Sequence, residues 1–198
     1  RNVEFSCGES RVVELKSYKD LRSISHLREV LPEKDLFSAS QSGRIFKTCA
    51  VVGNSGSLLE TQYGEEIDKH DVVIRFNHGI TEGYGQFVGT RTTFRVYNGP
   101  VSEPKEPGEV TIATIRDRGT KHWVSDVRAH PGRNETAYVF DPEFLCYSWQ
   151  WVKNQGHKPS SGLVGMIFAL KVCHKVHAYG FQSENYFSST SRPHYYDW

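Results

Sequence analysis

Between Cys49 and Leu59 a short apolar run stops at a glycine. Ala50-Val51-Val52 reads as a strand, Gly53 breaks it, Asn54-Ser55-Gly56 follow, and Leu58-Leu59-Glu60 can start a helix. A strand that turns through glycine into a helix offers backbone N–H groups at the corner, and such a corner suits a phosphate or a nucleotide. Neither of the two common nucleotide fingerprints fits. Only Gly53 and Gly56 stand where G-x-G-x-x-G needs three glycines, and no G-x-x-x-x-G-K-[ST] occurs anywhere in the chain.

From Cys49 onward strand-like and helix-like segments alternate. Strands are expected at Ala50–Val52, Asp71–Phe76, Thr92–Tyr97, Val110–Ile115, Ala137–Phe140 and Val176–Phe181. Helices are expected at Leu58–Ile67, Phe144–Asn154 and Ser161–Cys173, with loops at the proline-rich Gly99–Gly108 and at Gly156–Ser160. This alternation predicts a single Rossmann-like α/β/α sandwich with a mostly parallel sheet. Residues 1–44 are polar and mixed, with scattered apolar positions from Val12 to Leu31, and read as a stem or helical lead-in to a domain spanning 45–198. The length of 198 residues is enough for one sizeable core.

Bulk charge excludes little but points away from two partners. The net charge of +1 gives no reason to expect nucleic acid or an acidic membrane surface. No apolar run is long enough to span a bilayer, and no signal peptide is visible. The chain begins at Arg1 and stops at Trp198 inside an aromatic, motif-like stretch, which reads as a C-terminally truncated fragment. Cys7, Cys49, Cys146 and Cys173 include no C-x-x-C pair, so zinc is not expected. The residues alone favour four buried free thiols and leave three complete pairings open. Asn134-Glu135-Thr136 is a glycosylation sequon.

In an open parallel sheet ligands bind beyond the carboxyl ends of strands. Three stretches sit there: Gly53-Asn54-Ser55, Asn77, and the segment after Phe181. A fourth, Pro159-Ser160-Ser161-Gly162, opens an apolar helix, where a serine can cap or the N–H groups can hold an anion. Taken singly each has an ordinary explanation: the serines as caps, Asn54 and Asn77 as turn residues. No H-E-x-x-H and no D-x-D occurs, so no metal or other cofactor is expected. His194-Tyr195-Tyr196-Asp197 is the densest polar-aromatic cluster. A histidine beside a tyrosine hydroxyl is a metal-free way to stabilise a leaving phosphate.

Together these stretches resemble the animal-type sialyltransferase family. Its long motif is similar to Cys49–Gly56, Glu66-Ile67-Asp68, His70–Asn77 and Val88–Arg95; its short motif resembles Pro159–Gly162 through Cys173 to Tyr179-Gly180-Phe181; its third motif resembles His194–Asp197. The resemblance runs from Cys49 nearly to the end. It implies an inverting, metal-independent transfer of sialic acid from CMP-sialic acid to a terminal sugar such as galactose, on a variant of the GT-A glycosyltransferase fold. It implies a Golgi-lumenal type II membrane protein whose anchor lies outside this chain, and partners limited to the nucleotide-sugar donor and a glycan acceptor. A Cys49–Cys173 disulfide is implied too, against the free-thiol reading. Carried over residue by residue, Asn54, Ser55, Asn77, Ser160, Ser161, Gly162, Gly180, His194 and Tyr195 bind the donor, with His194 stabilising the leaving phosphate.

Two departures stand out. The family's fourth motif, with its general-base histidine, lies beyond Trp198, and Lys158 replaces a tyrosine that many members carry before the Pro-Ser pair. Two alternatives follow: a non-catalytic CMP-sugar or glycan-binding protein on the same fold, and transfer of another CMP-linked acidic sugar. A generic Rossmann oxidoreductase is disfavoured by the missing glycine and the missing ribose-binding acid.

Overall fold

The computed structural model of the chain describes residues 28–32, 35–37, 43–98, 106–114, 125, 127–129, 137–153, 159–181 and 192–197. Among these, six strands form one parallel sheet: β1 (Phe46–Val52), β2 (Val72–Phe76), β3 (Phe94–Tyr97), β4 (Val110–Ala113), β5 (Ala137–Val139) and β6 (Cys173–Tyr179). Their order is β5-β4-β3-β2-β1-β6. The helices are α1 (Gly64–Asp68), α2 (Gly85–Val88), α3 (Pro142–Gln150) and α4 (Ser161–Val172), with a 3-10 turn at Gly56–Glu60. The α/β architecture expected from the alternation is therefore the one that forms.

The described residues group into two compact units. The first takes those up to Ser40, from Val96 to Pro104 and from Val110 to Val164; the second takes those from Gln41 to Arg95, from Lys105 to Glu109 and from Gly165 onward. In the first unit β4 and β5 pair in parallel, and Thr114 N–H donates to the Tyr97 carbonyl at 2.7 Å. The second unit holds β1, β2 and β6. In it β1 pairs in parallel with β2 (Ala50 opposite Val73) and with β6 (Ala50 opposite His177).

The second unit is built around two strands that are buried on both faces. Residues 49–52 of β1 and all of β2 are buried, the pattern of strands covered on both sides of a parallel sheet. Helix α4 approaches β2 closely because Gly165 has no side chain. A Cβ there would lie 2.5 Å from the Phe76 ring. Phe168, one turn further on, meets Phe94 edge-on with centroids 5.5 Å apart.

Several boundaries differ from those expected, each for a physical reason. The single helix expected over Leu58–Ile67 is broken into the 3-10 turn and α1, because Thr61 is extended at φ −140°, ψ 154°. Gly64 then packs against the Gly85 carbonyl, where a Cβ would collide, and this fixes α1 against the unexpected α2. Strand β6 begins at Cys173 rather than Val176. It is an edge strand with His174, Lys175 and His177 exposed, so its first half carries no apolar run. The amino-terminal half of β1 is missed for the same reason, since Lys47 is exposed and Phe46 and Thr48 only partly buried.

The free-thiol reading is overturned. Cys49 and Cys173 form a disulfide, their Cα atoms 6.0 Å apart across 124 residues of sequence, and no described cysteine is free. Cys146 is disulfide-bonded as well. Cys7, Asn134 and Lys158, most of the lead-in and part of each expected loop lie outside the described residues.

Candidate functional site

The chain moves from β1 outward to β5 and then returns to place β6 on the other side of β1. The strand order therefore reverses between β1 and β6, the kind of point beyond whose carboxyl strand ends ligands bind in open α/β sheets. Gly53-Asn54-Ser55 leaves β1 there and Gly180 leaves β6. The two exits are zipped together. Gly53 N–H donates to Tyr179 O at 2.7 Å and Ser55 N–H to Gly180 O at 3.3 Å. Glycine is required at both places, since a Cβ on Gly53 would strike the Gly180 carbonyl. Gly180 itself has φ +64° and is backed by Leu58.

This contact changes what the corner can offer. The N–H groups of Gly53 and Ser55 are engaged by β6, Leu58 N–H bonds Ser55 O at 3.1 Å, and Ser57 N–H bonds Ser55 Oγ at 3.2 Å. Ser55 thus caps the 3-10 turn and is buried. The backbone N–H cradle expected from the sequence is in large part used up by the fold, which leaves the side chain of Asn54 as the polar group to account for at this corner.

Asn54 is held from three directions. Its Nδ2 donates to the Phe76 carbonyl at 3.1 Å and to the Tyr196 hydroxyl at 3.3 Å, and its own carbonyl accepts Tyr195 N–H at 2.9 Å. With Nδ2 committed, Oδ1 is left as the acceptor. That atom is buried and has no hydrogen-bond partner among the described residues. A buried acceptor without a donor costs free energy unless something supplies one. Oδ1 lies against Gly79, where a Cβ would sit 2.8 Å away.

The turn at 194–197 closes over this corner. Tyr195 is buried, meets Tyr84 edge-on, and donates its hydroxyl to the Ile80 carbonyl at 2.5 Å. Burial pushes its phenol well above the ordinary tyrosine range. Tyr196 stacks on His194 with centroids 5.2 Å apart and ring planes 3° apart. Asp197 Oδ2 lies 2.8 Å from His194 Nδ1 and also accepts His194 N–H at 3.1 Å. One imidazole nitrogen is therefore anchored. Nε2, on a side chain 40% exposed, has no partner among the described residues and is available to a ligand.

Asn77 follows β2 in the left-handed conformation, φ 49°, as a turn asparagine does. Its carbonyl and that of Gly79 accept from Arg95 Nη1 at 3.3 and 2.9 Å. Asn54, Asn77, Gly180, His194 and Tyr195 thus belong to one connected arrangement in the second unit. Ser160, Ser161 and Gly162 belong to the first unit, at the start of α4. Ser160 Oγ caps Leu163 N–H at 3.2 Å. Ser161 is buried with its hydroxyl unpartnered among the described residues, a polar group left open at the positive end of a 12-residue helix. No group of three His, Cys, Asp or Glu that could hold a metal occurs among the described residues.

The chain matches glycosyltransferase family 29 (sialyltransferase) over residues 4–113 and 108–198. It belongs to the sialyltransferase family. It is 36% identical over 173 residues to a CMP-N-acetylneuraminate-beta-galactosamide-alpha-2,3-sialyltransferase 1 of Gallus gallus, covering 80% of this chain and 48% of that protein. It is 29% identical to a beta-galactoside alpha-2,6-sialyltransferase 2 of Takifugu rubripes, covering 76% of this chain and 33% of that one. The chain thus spans at most about half the length of these curated relatives. A crystal structure of a mammalian sialyltransferase superposes with a TM-score of 0.66 at 28% identity, over 87% of this chain and 67% of that one. The resemblance read from the three motifs is therefore correct at the level of the family.

The candidate site of this sialyltransferase-family chain also contains groups that lie outside the donor-binding set: the Phe76 carbonyl, the Tyr196 hydroxyl and Asp197, together with the Arg95 guanidinium and its carboxylate partners. Tyr196 and Asp197 were adjacent to a residue already chosen, so their sequence position was a usable signal. Nothing in spacing or composition distinguishes the carboxylates that reach Arg95 from the proline-rich stretch around them.

Proposed function

We propose that the protein to which this chain belongs transfers sialic acid from CMP-sialic acid to a hydroxyl of a galactose-terminated glycan. The observation that carries the reading is Asn54. It stands at the sheet's reversal point with Nδ2 locked to Phe76 and Tyr196 and with Oδ1 buried and unpartnered among the described residues. A nucleotide supplies the missing donor, through an amino group or a ribose hydroxyl. Family membership and the galactose-directed names of the relatives support the donor and acceptor classes.

The chemistry follows from the groups present. CMP carries one phosphate, whose charge two or three donors can meet. His194 Nε2 is one such donor when the ring is protonated, because Asp197 engages Nδ1 and stacking on Tyr196 holds the plane. In the proposed step the acceptor oxygen attacks the anomeric carbon, the bond to the CMP phosphate breaks, and the phosphate leaves with the electron pair through an oxocarbenium-like transition state. Attack opposite the leaving group inverts the anomeric centre. The acceptor proton passes to a base that the reading assigns to no residue of this chain.

The test is transfer by the full-length protein from CMP-sialic acid to galactose-terminated oligosaccharides in the presence of EDTA, with the product's anomeric configuration read by NMR. Inverted product without added metal is expected. Absence of transfer to every such acceptor, with CMP still bound, would favour the binding-protein alternative. A strict metal requirement would sink the metal-free mechanism.

A further inference from the structure

Arg95, Glu106 and Glu109 form a buried charge cluster within the second unit. Every nitrogen of the guanidinium is directed. Nε pairs with Glu109 Oε2 at 2.8 Å, Nη2 with Glu106 Oε2 at 3.0 Å, and Nη1 donates to Gly79 O and Asn77 O. The Arg95 side chain is 4% exposed, that of Glu109 0% and that of Glu106 21%. Taking one guanidinium and two carboxylates out of water is costly, and such clusters persist where their geometry is needed. What this one holds is a turn. Glu106 also reaches that turn directly, since its Oε1 accepts Thr81 Oγ1 at 2.7 Å, while Thr92 Oγ1 donates to its other oxygen. The segment 77–81 is therefore pinned at Asn77 and Gly79 by Arg95, at Ile80 by the Tyr195 hydroxyl and at Thr81 by Glu106.

We propose that Glu106 and Glu109, acting with Arg95, are positioning residues that set the donor-binding turn 77–81. The inference rests on the function proposed above. Its physical content is that the cluster holds the wall beside Asn54 Oδ1. Gly79 is that wall, its hypothetical Cβ 2.8 Å from Oδ1 and 3.6 Å from the Tyr195 hydroxyl. Asn77 is presented from the same turn. A carboxylate at 106 charge-balances the guanidinium and fixes where its Nη1 points; a neutral amide there leaves the turn free to drift. The effect is expected on nucleotide binding rather than on bond making, because the cluster's contacts outside itself include Asn77, Gly79 and Thr81 of the turn.

The experiment uses the full-length protein and free CMP as probe. Glu106 is the position of choice because it is partly exposed, whereas loss of Arg95 or Glu109 leaves a buried charge unpaired. Glu106→Gln should raise the CMP Kd by calorimetry, and the KM for CMP-sialic acid, about five- to tenfold. It should change kcat less than about twofold, with the thermal midpoint close to that of the wild type. Thr81→Val, which keeps volume and loses the hydroxyl, should shift KM in the same direction, and Thr81→Ser should restore it. Unaltered CMP affinity in both Glu106→Gln and Thr81→Val overturns the positioning role, as does a fall in kcat with KM unchanged. If the wild-type protein itself binds no CMP, the functional reading fails first and this inference fails with it. Wild-type binding with indifferent variants refutes the positioning role alone.

Discussion

At the scale of single residues the account turns on Asn54 and the glycine beside it. Gly79→Ala places a methyl group 2.8 Å from Asn54 Oδ1 and 3.1 Å from the Phe76 carbonyl, contacts that one of the three must yield to. The expected outcome is a CMP affinity reduced about tenfold, equal to roughly 1.4 kcal/mol, in a protein that still folds. A Gly79→Ala variant that binds CMP as the wild type does would show that this wall does not line the site. Asn77 separates backbone from side chain. Its φ of 49° makes Asn77→Ala strained by about 1 kcal/mol, whereas Asn77→Gly keeps the conformation and removes only the amide. If the amide contacts donor, both variants weaken CMP binding, and Asn77→Gly does so with little loss of stability. If Asn77 is only a turn residue, Asn77→Gly binds normally. The sequence made Asn54, Asn77, His194 and Tyr195 legible because each lies in a stretch with a recognisable local pattern. Glu106 and Glu109 were not legible, because their partner Arg95 is brought to them only by the tertiary fold.

At the scale of elements, the strand ends matter more than the helix start. The corner after β1 looks, in sequence, like a phosphate cradle of N–H groups. Pairing with β6 takes two of those groups and the Ser55 cap takes another. Parallel pairing across 124 residues leaves no local signature, so this competition could not be read in advance. The buried strands were legible from continuous apolar runs, whereas half-exposed ends such as His174-Lys175 were not. The Cys49–Cys173 bond ties β1 to the first residue of β6 at the end of α4. Closing so long a loop stabilises the fold by about 4–5 kcal/mol in the entropic account. Cys49→Ala with Cys173→Ala should therefore lower the unfolding free energy by several kcal/mol in denaturant titrations. Non-reducing peptide mapping of the wild type should yield the cross-linked pair. An unchanged denaturation midpoint in the double variant would contradict the bond's structural role.

The second unit also carries a pH signature. Burial, with the hydrogen bond to Glu66 Oε1 at 2.6 Å, pushes the Tyr179 phenol up, and burial does the same for Tyr195. In the unfolded chain both ionise near pH 10. The neutral form is the one the fold keeps, so the stabilisation is fully present below about pH 10 and is lost as pH rises beyond it. Denaturation midpoints should be level up to about pH 9 and fall above 10, with a smaller fall in Tyr195→Phe. A profile that is flat through pH 11 would contradict the buried, neutral state of these phenols.

For the molecule as a whole, the sheet's reversal between β1 and β6 places the third-motif turn over the end of the long-motif strand. His194, Tyr195, Tyr196 and Asn54 are linked there by hydrogen bonds and ring contacts rather than standing as separate motifs. The central claim is that this assembly binds the nucleotide of CMP-sialic acid through Asn54. Calorimetric titration of CMP into the full-length protein and its Asn54→Ala variant tests it most directly. The account predicts clear binding by the wild type and a loss of about tenfold or more in the variant, the worth of a buried hydrogen bond, with the fold retained. Equal CMP affinity in the two proteins would contradict it.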